Sequence, residues 1–149
     1  MNRGRCKFVV SLRGNPDAAA TDSRIAPEFF DAVMQLMAAH ELGQCTRHVR
    51  GQWMAGANAV GGILPLVAGQ REEAYADLVG LAWTQRHRTA LYGQVHAWLV
   101  AECLLSRQRG PMHNTLAWAQ IAARADSFGS RSVSAEADFL WQQGVANAD

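Results

Sequence analysis

The chain has 149 residues, 49% of them hydrophobic and 18% charged, with a net charge of +1. That length holds one compact domain over 1–149 and leaves no room for two ordinary ones, while the apolar fraction excludes a disordered chain. The near-neutral charge lacks the basic excess of a general nucleic-acid binder, so no nucleic acid is expected as a partner.

No run approaches the ~20 apolar residues of a membrane span, so no membrane association is expected. The start, MNRGRCKFVVSLRGNPD, has too short an apolar stretch for a secretory signal. The three cysteines, Cys6, Cys45 and Cys103, are odd in number and widely spaced, with no CxxC pair. They read as free thiols in a reducing compartment, and the expected location is cytoplasmic.

Lys7 to Leu12 reads as one short strand, closed by Gly14-Asn15-Pro16. Residues 14–26 read as loop. A helix is expected over 27–50, opened by Pro27 with Glu28 beside it and ended by Gly51. At about 100° per residue, Phe29, Val33, Leu36, Met37, Gln44 and His48 all fall on the side of this helix that carries His40, so His40 and Gln44 face inward. Residues 51–69 form a Gly-rich apolar connection.

Residues 71–107 read as helix, with a break near Gly93. Further helices are expected over 115–126 and over 135–143, the last ended by Gly144. The expected fold class is mainly α with a small β component (α+β). Five tryptophans suggest bulky core fillers or a pocket wall.

The chemistry-bearing motif is His40-Glu41-Leu42-Gly43-Gln44-Cys45 on the inward face of its helix, followed about thirty residues later by Glu72-Glu73-Ala74-Tyr75-Ala76-Asp77. Side chains four apart on a helix stack one above the other, so two of them can grip one ion. The glutamate after His40 points aside, where it can take a proton without ligating.

Over roughly residues 36–81 the sequence resembles the zincin metallopeptidases of the gluzincin branch, in which HExxH supplies two ligands and a base and a downstream ExxxD helix supplies the third ligand. The resemblance implies a zincin-like helix pair and a zinc cofactor. It makes His40 and Gln44 metal ligands with Glu73, places Asp77 behind a ligand histidine, and makes Glu41 the general base for hydrolysis of a peptide or protein substrate. His87 or Tyr92 would then stabilise the transition state.

The second histidine of the motif is Gln44 here, a neutral and weaker donor. Three explanations compete: Gln44 ligates through its amide oxygen, His48 replaces it, or the site is dead and the fold serves another role. His48 lies two turns, ~12 Å, beyond His40 on a straight helix, which disfavours it. His87, His96 and His113 are other possible donors.

Each residue also has a plainer reading. His40 reads as a hydrogen-bonded core histidine, Glu41 and Arg86-His87-Arg88 as solvated helix faces, Glu72 and Glu73 as a helix N-terminal pair, and Asp77 as a surface partner of an arginine. Cys45 with His48 is a weak nucleophile pair. Gly56 to Gly62 lacks the Lys and Ser/Thr of a phosphate loop. The alternative function is therefore a non-catalytic helical protein that binds a partner.

Overall fold

A computed structural model describes residues 6–7, 16–54, 63–106, 110 and 113–148. The described residues form six α-helices: α1 (Pro16–Asp22), α2 (Phe30–Val49), α3 (Ile63–His87), α4 (Tyr92–Ser106), α5 (Leu116–Ile121) and α6 (Val133–Ala148). Short 3-10 turns at Pro27–Phe29, Thr89–Leu91 and Ala125–Ser127 separate some of them.

No strand occurs among the described residues, which corrects the α+β expectation to all-α. Residues 8–12 of the expected strand lie outside the described residues. Lys7, at its start, has no regular structure. The β assignment rested on that one run of β-branched and aromatic residues. Among the described residues most of the other core positions fall on helices.

α3 is the axis of the fold. Ala74, Tyr75, Ala76, Leu78, Val79, Leu81 and Ala82 are all buried, so this helix is apolar around most of its circumference and is enclosed by others. α2 and α6 flank it, and α4 and α5 close the remaining side. The core continues through Val33 and Leu36 of α2, Val95, Trp98 and Leu99 of α4, Trp118 of α5 and Leu140 of α6.

A helix enclosed in this way must find partners for its polar side chains, because an unpaired buried polar group costs several kcal/mol. Thr84 donates to the Gly80 carbonyl at 2.9 Å. Glu72 receives both Arg47 Nη2, at 2.9 Å, and Arg47 Nε, and the Met54 amide at 3.2 Å. The guanidinium carbon lies 4.8 Å from the ring centres of both Tyr75 and Trp141, which pack edge-on to each other. Asp77 is the third such group and belongs to the candidate site.

α2 and α3 run antiparallel, with Leu36 against Gly80, Gly43 against Ala76 and Val79, and Arg47 against Glu72. The close approach depends on two glycines. A Cβ at Gly80 would stand 2.9 Å from the Leu36 carbonyl oxygen, and one at Gly43 would stand 3.1 Å from Val79.

Several boundaries differ from the expected ones. Residues 16–22 of the expected loop are helical, and α3 begins at Ile63, inside the expected Gly-rich connection. The break between α3 and α4 falls at Arg88 to Leu91, and Gly93 sits in the first turn of α4. The α5 helix is shorter than expected and ends at Ile121. α6 runs through Gly144, which serves contact instead of termination: a Cβ there would lie 2.1 Å from Trp118 Nε1. Gly51 does end α2, with φ of 68°.

Cys6 and Cys45 form a disulfide with their Cα atoms 5.9 Å apart, and Cys103 is the free, buried cysteine. This corrects the free-thiol reading and removes its argument for a reducing compartment. A separation of 39 residues gives no local spacing from which the pairing is legible. Among the described residues no helix is long and apolar enough to cross a membrane.

Candidate functional site

The α2–α3 crossing brings His40, Gln44, Glu73 and Asp77 into one cluster. Leu36 to Gly80 and Gly43 to Ala76 fix the register, so the inward stripe of α2 meets the stripe of α3 that carries Glu73 and, four residues on, Asp77.

His40 Nδ1 is 2.9 Å from Asp77 Oδ1. Its Nε2 is 3.5 Å from Glu73 Oε2, within the roughly 3–4 Å that two ligands of one zinc ion require. Gln44 Nε2 lies 3.1 Å from His40 Nε2 and 3.0 Å from Glu73 Oε1. Asp77 Oδ2 accepts from the Thr115 hydroxyl at 2.6 Å.

A neutral His40 with its proton on Nδ1 satisfies every one of these contacts. The ring then donates to Asp77, and the Gln44 amide donates both to Nε2 and to Glu73. A second proton makes Nε2 a donor, which in this amide orientation Glu73 alone of the two can receive, so proton and amide compete for one nitrogen. Burial opposes the charged ring, but the hydrogen bonds to Asp77 and Glu73 and their charges outweigh it and push His40 up to about 10. Burial likewise works to raise Glu73. The His40 hydrogen bond and charge prevail, with smaller contributions from His113 and Gln44, and hold this carboxyl below its usual range.

Two hollows flank the cluster. One, of about 160 Å³, is bordered by His40, Glu73, Asp77, Glu102, Cys103 and His113, among others. The other, of about 600 Å³, is bordered by Glu41, Leu42, Gln44, His48, Trp53 and the Cys6–Cys45 bridge. Gln44 stands between them, touching the cluster on one side and the larger groove on the other. Glu41 is exposed and faces that groove.

Among the described residues no group of three or more His, Cys, Asp and Glu side chains is arranged to hold a metal ion. The cluster thus sets one imidazole, His40, against one carboxylate, Glu73, with the Gln44 amide beside both. Asp77 is turned to His40 Nδ1, the relation that orients a metal-ligating histidine.

Other expected participants lie elsewhere. His87 is ten residues beyond Asp77 on α3, ~15 Å along the axis, and its exposed ring rests on Trp83. Tyr92 is buried, donates to the Ala122 carbonyl at 2.5 Å, and packs against Phe128. Burial raises its hydroxyl well above the ordinary range. Neither His87 nor Tyr92 faces the cluster, which corrects their expected role in the transition state. Both were singled out by residue type, on the strength of the resemblance.

His96 contacts the Ala119 carbonyl through Nε2 at 2.8 Å, and His48 lies edge-on to Trp53 beside the larger groove. Cys45 is bridged, which removes it as a nucleophile. His113 borders the smaller hollow. Glu72, read beside Glu73 in sequence, turns the other way to Arg47.

No protein-family model matches the chain, and the searches of curated proteins and of solved structures found no significant match.

Proposed function

We propose that the cluster is a divalent-metal site of a zinc-dependent peptidase, with peptide or protein substrates received in the groove beside Glu41. The observation that supports this most is the posture of His40. Nδ1 is committed to Asp77, and Nε2 is aimed at the Glu73 carboxylate 3.5 Å away. His40 Nε2, Glu73 and the Gln44 amide oxygen, after the amide turns over, would hold the ion. A zinc ion bound there supplies Lewis-acid polarisation of the scissile carbonyl and of a water.

The chain's own groups do the remaining work. Glu41 takes the proton from the attacking water and returns it to the leaving amine. Asp77 keeps the His40 ring in the tautomer that leaves Nε2 free. The groove walls, from Leu42 to Trp53, orient the peptide.

Equilibrium binding of zinc to the full chain, followed by mass spectrometry of the desalted protein, tests the reading. About one equivalent is expected in the wild type, and His40→Ala should abolish it. Uptake of only a small fraction of an equivalent, unchanged by His40→Ala, overturns the proposal.

A second reading has its own support: the Gln44 amide satisfies both Nε2 and Glu73 with no ion present. On that reading the chain is a non-catalytic helical protein that acts by binding a partner. Gln44→His separates the two. A site of the first kind gains zinc affinity at least tenfold, or ~1.4 kcal/mol, whereas a scaffold never suited to a metal gains none.

A further inference from the structure

We propose that Thr115 is a positioning residue for His40, acting through Asp77 from the segment between α4 and α5. A continuous hydrogen-bonded chain runs from Cys103 Sγ to Thr115 Oγ1 at 3.1 Å, from Thr115 Oγ1 to Asp77 Oδ2 at 2.6 Å, and from Asp77 Oδ1 to His40 Nδ1 at 2.9 Å. It reaches the imidazole from the side opposite Glu73 and Gln44. The inference deepens the hydrolase reading and rests on it for its functional meaning, while the geometry that carries it involves no metal.

Asp77 orients His40 only if its carboxylate cannot rotate. One oxygen faces the ring. The other lies in a buried setting, the residue being 7% exposed, where an unpaired carboxylate oxygen is costly. The Thr115 hydroxyl is the donor that satisfies it. Thr115 is itself 2% exposed, and its backbone is held by a bond from its amide to the His113 carbonyl and by the Trp118 and Ala119 amides on its own carbonyl.

The direction of the chain follows from the Asp77 end, where the hydroxyl donates to Oδ2. Burial, with the charge of Asp77, pushes the Cys103 thiol up to about 11, so an S–H is there to donate to Thr115. The single Thr115 proton is then free for Asp77 Oδ2. The carboxylate is held at both oxygens, so a ring proton of His40 stays on Nδ1 and Nε2 is turned toward Glu73.

The test is NMR of the full-length, metal-free protein, following exchange of the His40 ring N–H with solvent, with zinc affinity by chelator competition as a second readout. In wild type the Nδ1–H signal should be present and slowly exchanging. Thr115→Val should lose that signal and weaken zinc binding about 10–100-fold, the usual effect of removing an outer hydrogen-bond partner. Thr115→Ser, which keeps the hydroxyl, should retain both.

Thr115→Ala set against Thr115→Ser isolates the hydroxyl with the methyl already gone, so the comparison stands if the valine variant does not fold. A His40 N–H that is equally protected in the alanine and serine variants overturns the proposal. So does a serine variant that loses the signal as fully as valine. Failure of the wild type to bind zinc would sink the peptidase reading and leave the N–H comparison intact.

Discussion

Glu41 and His40 are adjacent in the chain but face different surroundings, and that difference separates their chemistry. His40 is turned into the cluster, where two carboxylates and an amide compete for its nitrogens. Glu41 is exposed at the wall of the larger groove and touches no other member of the cluster in the contacts described. On the proposed mechanism Glu41→Gln therefore leaves zinc uptake unchanged and lowers kcat by about 10²–10⁴, the range of a general base. Single-turnover cleavage of a fluorogenic peptide beside a metal assay checks both halves. Loss of metal together with activity would place Glu41 among the ligands instead.

Individual residues were legible where spacing on one helix did the reporting. His40 and Gln44, and Glu73 and Asp77, are each four apart and share a face. Thr115 and Cys103 gave no signal, because their partners are 38 and 12 residues away and no local periodicity links them.

The separation of α2 and α3 decides at the level of elements whether those faces meet, and Gly80 sets it. A methyl at Gly80 would lie 2.9 Å from the backbone oxygen of Leu36, which cannot swing aside as a flexible side chain does. Gly80→Ala should cost about 1–3 kcal/mol, as overpacking in a dense core does, and should also widen the gap that Nε2 and Glu73 bridge. Gly43→Ala meets the Val79 side chain at 3.1 Å, which can give, and should cost less. Urea denaturation of the three proteins checks the order. Equal midpoints for Gly80→Ala and wild type would show that the crossing tolerates more space than the contacts imply.

Helix placement along the chain was largely visible from apolar periodicity and from Pro27 and Gly51. What was not visible is why a glycine sits where it does. Gly93 and Gly144 look like breaks in sequence, yet both lie within helices, and Gly144 is required by the indole of Trp118. A glycine that permits close contact and one that ends a helix are the same letter. Only the neighbour across the interface tells them apart.

At the scale of the whole molecule, α3 brings ionisable groups into the interior, so stability depends on pH through them. Their directions can be worked out from the folded state without metal. His40 is raised from 6.5 to about 10. The folded state thus holds the ring proton more tightly than the unfolded chain does. The resulting stabilisation is fully present below pH 6.5 and is lost as pH rises through 10.

Glu73 is lowered from 4.5, so its contribution is present above pH 4.5 and is lost as pH falls through its depressed value. The two windows overlap between pH 4.5 and 6.5, where the metal-free protein should be most stable. Urea midpoints should therefore fall from pH 5.5 to pH 9.5, and His40→Asn should remove most of that slope, because it removes the titrating ring and leaves a neutral donor for Asp77.

On the proposed reading zinc would reverse the trend. Binding at Nε2 would displace a proton, so zinc affinity should rise over the same interval. Stabilisation by a fixed free zinc concentration should grow toward pH 9, in opposition to the falling stability of the metal-free chain. A metal-free midpoint that rises from pH 5.5 to the ordinary histidine value of 6.5 and stays flat above it would mean that His40 is held neutral by the Gln44 amide throughout. The ring would then already be in its ligand form, and zinc binding would show no proton release.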